Sequence, residues 1–198
     1  HSDVLMGAVV TNSQGLGEGL EFLQKAIGAV PSPFDCFMAL RGLKTLHVRM
    51  RQHCESAMKV ASFLSQHQCI SIVHYPGLPN SKYHQLARTQ MVNGFGGIVT
   101  FTLKPPMNTP RGTIPNLLQL SVKLCQNLKV ITLAESLGGV ESLMDVPSVM
   151  THASVPAEQR AKLGITDGLL RLSVGLEDVG DIVGDLDSAI SAAYSTDP

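Results

Sequence analysis

From Lys44 to His67 the chain contains neither glycine nor proline. Leu46, Met50, Cys54, Ala57, Ala61 and Leu64 recur there at spacings of three and four, and Lys44, Arg49, Arg51, Gln52, Glu55 and Lys59 fall on the other face. This is an amphipathic helical pattern. About 24 residues of helix span roughly 36 Å, long for a small domain. The pattern therefore predicts one long helix over 44–67, of a length that could connect two domains.

On the N-terminal side, residues 3–11 are nearly continuous apolar, which predicts a strand buried on both faces. Leu16, Leu20, Leu23, Ala26 and Ile27 give a helix over 14–27 closed by Gly28. Pro31 and Pro33 force an extended turn, and a short helix begins at Phe34. Beyond the long helix the texture changes. Short strands are expected at Ile70–Val73, Ile98–Leu103, Val130–Ala134 and Leu169–Val174. Helices are expected over 81–91, with Asn80 as cap, over 116–127 and over 178–193, with a short turn of helix at Pro156–Glu158. Lys104 to Pro115 holds four of the eleven prolines and reads as a surface loop. Alternating elements of this kind describe helices packed on a small, mainly antiparallel or mixed sheet, an α/β domain.

Composition narrows the function classes. Lys plus Arg total 15 and Asp plus Glu 16, so the formal net charge is −1 and no basic cluster invites nucleic acid or an anionic membrane. Hydrophobic residues make up 44%, enough for a sizeable core. No apolar run approaches the ~20 residues of a membrane span. The start, His1-Ser2-Asp3-Val4-Leu5, lacks a signal-peptide pattern and an initiator Met, which reads as a segment of a longer protein. Cys36, Cys54, Cys69 and Cys125 are widely spaced, so buried free thiols in a reducing, cytoplasmic setting are expected, and no metal site.

Candidate chemistry gathers at strand ends. Arg171 is embedded among Leu169, Leu170, Leu172 and Val174. It is either on a solvent face or aimed into a cleft, where a guanidinium suits a carboxylate held by two parallel hydrogen bonds. Glu135 and Ser136 end a strand before a Gly-Gly turn, where binding residues concentrate. Thr151 and His152 lie in a similar position. No nucleophile elbow, P-loop or G-x-G-x-x-G is present, so a hydrolase or a phosphate cradle is disfavoured.

Several runs together resemble the Cys/Met-metabolism enzymes that use pyridoxal phosphate (PLP). They are Gly28-Ala29-Val30-Pro31-Ser32-Pro33-Phe34-Asp35-Cys36, Arg41-Gly42-Leu43-Lys44-Thr45-Leu46 and Tyr75-Pro76-Gly77-Leu78. Further along come Leu133-Ala134-Glu135-Ser136-Leu137-Gly138-Gly139, Met150-Thr151-His152-Ala153-Ser154 and Arg171-Leu172-Ser173-Val174-Gly175-Leu176-Glu177. They stand in family order over nearly the whole chain, nearest to members that cleave cystathionine by γ-elimination. Residues 104–116 depart from the family pattern and look like a loop variation. His1-Ser2-Asp3 matches the tail of the family's Ser-x-Thr-Lys-Tyr-x-x-Gly-His-Ser-Asp cofactor-lysine pattern. The resemblance thus places the Schiff-base lysine upstream of His1 and leaves no catalytic residue in this chain.

The resemblance implies the aspartate-aminotransferase-like fold (PLP fold type I). Residues 1–45 would end the large PLP-binding domain, 44–67 would bridge, and 68–198 would form the small C-terminal domain. It implies pyridoxal 5'-phosphate as cofactor, bound mainly by residues outside this chain, an amino-acid substrate, and a homo-oligomer of tetrameric type. Arg171 matches the arginine that grips the substrate α-carboxylate. Ser136 and the backbone of Leu137 match groups near that carboxylate, Thr151 matches a residue lining its pocket, and Glu135 matches a position where members differ. The implied activity is carbon–sulfur lyase chemistry, yielding cysteine, 2-oxobutanoate and ammonia. The alternatives are a transferase of the same family using an activated homoserine ester, and a truncated non-catalytic module.

Overall fold

The computed structural model describes residues 1–106 and 116–195. Most of the proline-rich loop expected over 104–115, and of the divergent stretch 104–116, lies outside the described residues. The chain forms two compact units, His1–His47 and Val48–Pro198.

In the first unit α1 (Gln14–Ile27) begins where Ser13 accepts a hydrogen bond from the Leu16 amide and ends at Gly28, with φ at 77°. The close matches the expected boundary, because only glycine takes a left-handed residue without strain. In α2 (Pro33–Leu43) proline opens the first turn and Ser32 accepts from the Asp35 amide at 3.1 Å. Residues 3–11 do not form the expected strand. A strand exists only through ladder partners, and none of the described segments supplies them. No residue of 1–47 is buried.

Helix α3 (Leu46–Gln66) takes up the long amphipathic pattern, and from Val48 it belongs to the second unit. Its buried face is His53, Ser56, Ala57, Val60, Ala61 and Leu64. Leu46 and Met50, expected on that face, are 40% and 42% exposed. The buried face is turned toward His53, whose Nδ1 lies 2.7 Å from the Val174 carbonyl oxygen and donates to it.

The sheet holds five strands: β1 (Ile70–His74), β2 (Ile98–Leu103), β3 (Thr132–Leu133), β4 (Leu143–Asp145) and β5 (Leu169–Ser173). Their order is β1-β2-β5-β4-β3, antiparallel except for the parallel β3–β4 pair. Strand β4 falls inside a segment that reads as loop, because three residues carry too little alternation to register. The helices α4 (His84–Gln90), α5 (Leu117–Asn127), α6 (Ala157–Lys162) and α7 (Val179–Tyr194) complete the unit. Asn80 does not cap α4; the residue before that helix is Tyr83, which makes no side-chain cap bond.

Alternation decides which face of the sheet is core. Val99, Phe101 and Leu103 on β2, Leu170 and Leu172 on β5, and Met144 on β4 are at most 1% exposed. They join α3, α5 and α7 in one core, with Leu120 and Leu124 from α5 and Ile182, Leu186 and Ile190 from α7. Each such residue contributes on the order of 1.5–3 kcal/mol by leaving water. Cys36, Cys54, Cys69 and Cys125 are all free thiols. Burial, and secondarily the nearby Asp145 carboxylate, pushes the Cys125 thiol up to about 11.

One carboxylate inside this core has a purely structural duty. Asp185 on α7 accepts from the backbone amides of Lys129, Val130 and Ile131 at 2.8–2.9 Å. These are the residues that lead the chain into β3. Replacing Asp185 with Ala is expected to strand three donors and lower stability by about 2–4 kcal/mol. A urea unfolding midpoint indistinguishable from the native one would contradict that role.

Candidate anion site on the outer face of the sheet

On the face away from the core, register places Thr100 and Asp145 on either side of Arg171. The arginine side chain is 17% exposed and the Asp145 side chain 1%. The guanidinium Nη2 lies 3.3 Å from Asp145 Oδ2 and donates to the Glu135 carbonyl oxygen at 2.6 Å. Thr151 Oγ1 donates to the same Asp145 oxygen at 3.2 Å and lies 2.9 Å from His152 Nδ1. The single hydroxyl proton goes to Asp145, so His152 Nδ1 is the donor in the second contact. Arg171 Nε and Asp145 Oδ1 are buried and lack partners among the described residues.

The loop after β3 is tied across this cluster at three points. The Ala134 amide donates to the Met144 carbonyl at 2.9 Å, Arg171 reaches Glu135, and the Gly138 amide donates to Ser173 Oγ at 2.8 Å. Gly138 has φ at 79°, which a side chain disfavours. Between these ties the Glu135, Ser136 and Leu137 side chains are exposed. The strand end beyond Arg171 is locked separately. Glu177 accepts from the amide and hydroxyl of Ser142, and the Gly175 amide donates to Ser142 Oγ. A Cβ on Gly175 would stand 2.5 Å from the Val140 carbonyl oxygen.

The structure ties three of the five sequence-predicted residues together, Arg171, Glu135 through its backbone carbonyl and Thr151 through Asp145, and Ser136 adjoins Glu135 in the chain with an exposed side chain. Leu137 follows on the same loop, 53% exposed. Asp145 and Ser173 were not singled out by sequence. Asp145 carries the signal that marked Arg171, a charge inside an apolar run (Leu143-Met144-Asp145-Val146). A separate cavity of about 760 Å³ lies along β1 and residues 75–91, and none of the five lines it.

A half-buried guanidinium with a buried, unpartnered Nε can take an anion, and carboxylate geometry matches its parallel donors. The cluster does not fit the aldehyde end of PLP. Of the eight lysines, seven are exposed, and Lys123, half-buried, gives its amine to the Ser195 carbonyl. Among the described residues no group of three His, Cys, Asp or Glu side chains could hold a metal ion.

Burial pushes the Asp145 carboxyl above its ordinary value, with Glu135 adding to the rise and Arg171, Thr151 and His152 opposing it. A carboxyl that holds its proton more tightly folded than unfolded supports the fold fully below the ordinary carboxylate value. That support is lost as pH rises through the shifted one. Asp145→Asn does not titrate. Between about pH 4 and pH 7 its unfolding free energy is expected to gain on that of the native protein. A gap that stays constant over that range would refute the shift.

The model of the Cys/Met metabolism PLP-dependent enzyme family matches residues 1–191. Cystathionine gamma-lyase of Dictyostelium discoideum is 52% identical over 190 residues, covering 96% of this chain and 46% of its own. The crystal structure of cystathionine gamma-lyase from yeast superposes with a TM-score of 0.89 at 42% identity, over 98% of this chain and 47% of its own. Cystathionine gamma synthase from Xanthomonas oryzae pv. oryzae gives 0.87 and 42%, over 99% and 48%. This chain thus spans about half the length of the relatives it matches, and its fold is that of fold type I PLP enzymes. The chain belongs to the Cys/Met metabolism PLP-dependent enzyme family.

Proposed function

We propose that this chain is the carboxylate-gripping part of a PLP-dependent carbon–sulfur lyase that converts L-cystathionine and water to cysteine, 2-oxobutanoate and ammonia. The observation that carries the reading is Arg171. It is a guanidinium on the central strand of the sheet, 17% exposed, beside the loop that bears Ser136. Identity of 52% to a protein named cystathionine gamma-lyase supports the choice of substrate.

Each residue then has a limited task. Arg171 holds the α-carboxylate through parallel N–H donors, which fixes the orientation of the ligand's Cα–H bond. Ser136 Oγ and the Leu137 amide, which have no partners among the described residues, stand ready as further donors to the same group. The exposed Glu135 carboxylate attracts the distal ammonium of cystathionine. Cofactor attachment falls to residues other than this cluster, and the family's working assembly is proposed to be a cytoplasmic homotetramer.

A transferase reading stands beside this one, because the Xanthomonas cystathionine gamma synthase superposes almost as closely as the yeast lyase. Products separate the two in the full-length protein. A lyase releases 2-oxobutanoate from cystathionine, whereas a synthase consumes an activated homoserine ester and cysteine. Arg171→Ala is expected to lower kcat/KM by about 2–4 kcal/mol, roughly 30-fold or more, with the PLP absorbance retained. A loss below about threefold would remove Arg171 from the site. Glu135→Gln is expected to change the ranking of cystathionine against shorter amino acids while PLP stays bound, and an unchanged ranking would remove Glu135 from substrate recognition.

A further inference from the structure

We propose that Asp145 is a positioning residue that aims Arg171 at the ligand carboxylate, and that Thr151 serves the site through Asp145. The proposal rests on the reading that Arg171 grips a carboxylate. Arginine is long and flexible, and a free guanidinium would sample many orientations. Here one nitrogen is held by two acceptors of different origin. The Glu135 carbonyl at 2.6 Å belongs to a loop, and Asp145 Oδ2 at 3.3 Å belongs to the adjacent strand. The strand partner is the stiffer of the two. Asp145 faces Arg171 directly in the β4–β5 register, is 0% exposed, and has only two side-chain torsions.

Full burial also means that ligand atoms do not reach Asp145, so its influence passes through Arg171. Thr151 sits six residues further on and donates its hydroxyl proton to the oxygen that faces Arg171. That proton is therefore directed at Asp145, not at a ligand. The linkage runs from His152 Nδ1 to Thr151 Oγ1 to Asp145 Oδ2 and ends at the guanidinium. The Arg171 side chain itself stays 17% exposed, so it is the end of the linkage that a ligand can reach.

The test uses the full-length, PLP-loaded protein and compares an α-amino-acid substrate with the corresponding amine that lacks the carboxylate. Asp145→Asn is expected to lower kcat/KM for the amino acid about tenfold while changing the amine less than about twofold. Thr151→Val is expected to lose about three- to fivefold on the amino acid alone, and Thr151→Ser, which keeps the hydroxyl, to recover most of that loss. The double variant Asp145→Asn/Thr151→Val is expected to be no worse than Asp145→Asn, because both act through one linkage. Propanoate binding, followed by NMR titration, is expected to weaken in step. Equal losses on amino acid and amine, additive losses in the double variant, or unchanged propanoate binding would overturn the proposal. If Asp145→Asn fails to fold, the Thr151→Val and Thr151→Ser pair decides it. If Arg171→Ala leaves the preference for the carboxylate intact, the functional reading falls and takes this proposal with it. If Arg171→Ala removes that preference and the Asp145 and Thr151 variants keep it, only the positioning role is wrong.

Discussion

The cross-strand pair of Arg171 and Asp145 is the contact on which the outer face of the sheet depends. Two largely desolvated charges are tolerable only together, since removing either leaves the other buried and uncompensated. The pair exists because β4 and β5 run antiparallel in a register that sets the two residues opposite each other. One residue of slip would send each side chain to the apolar face. Arg171 of this pair holds the Glu135 carbonyl of the loop after β3, and Asp145 holds the Thr151 hydroxyl.

Other buried polar groups of the second unit show what a purely structural polar residue looks like. Asp185 accepts three amides, and Glu177 accepts two groups of Ser142, which itself accepts from Gly175. Those carboxylates are saturated by partners within the fold. Arg171 and Asp145 are not, each keeping a buried polar atom without a partner among the described residues.

The family's PLP dependence and this cluster's chemistry complement each other. A carboxylate-binding guanidinium supplies orientation, and carbanion stabilisation in such a family comes from the cofactor. On the proposed function, the residues of this cluster supply the first. The first unit differs from the second in burial. The apolar side chains of Leu16, Phe22, Ile27, Phe34 and Leu40 are 61–74% exposed, so α1 and α2 keep apolar faces that the described residues leave open to solvent.

By itself the sequence determined the local elements whose signals are local. Gly28 closes α1 through a bond to a carbonyl four residues back. The strand expected at Ile98–Leu103 is β2, and the helices expected over 116–127 and 178–193 are α5 and α7 within a residue at each end. Through resemblance it also named Arg171 and the Glu135–Leu137 loop. The tertiary structure alone decided the rest. Whether 3–11 forms a strand depends on ladder partners, and which face α3 buries depends on the carbonyl that His53 meets 121 residues away. The role of Asp145 depends on a pairing 26 positions distant in sequence, between strands of three and five residues. Register is a property of two segments at once, and neither segment states it alone.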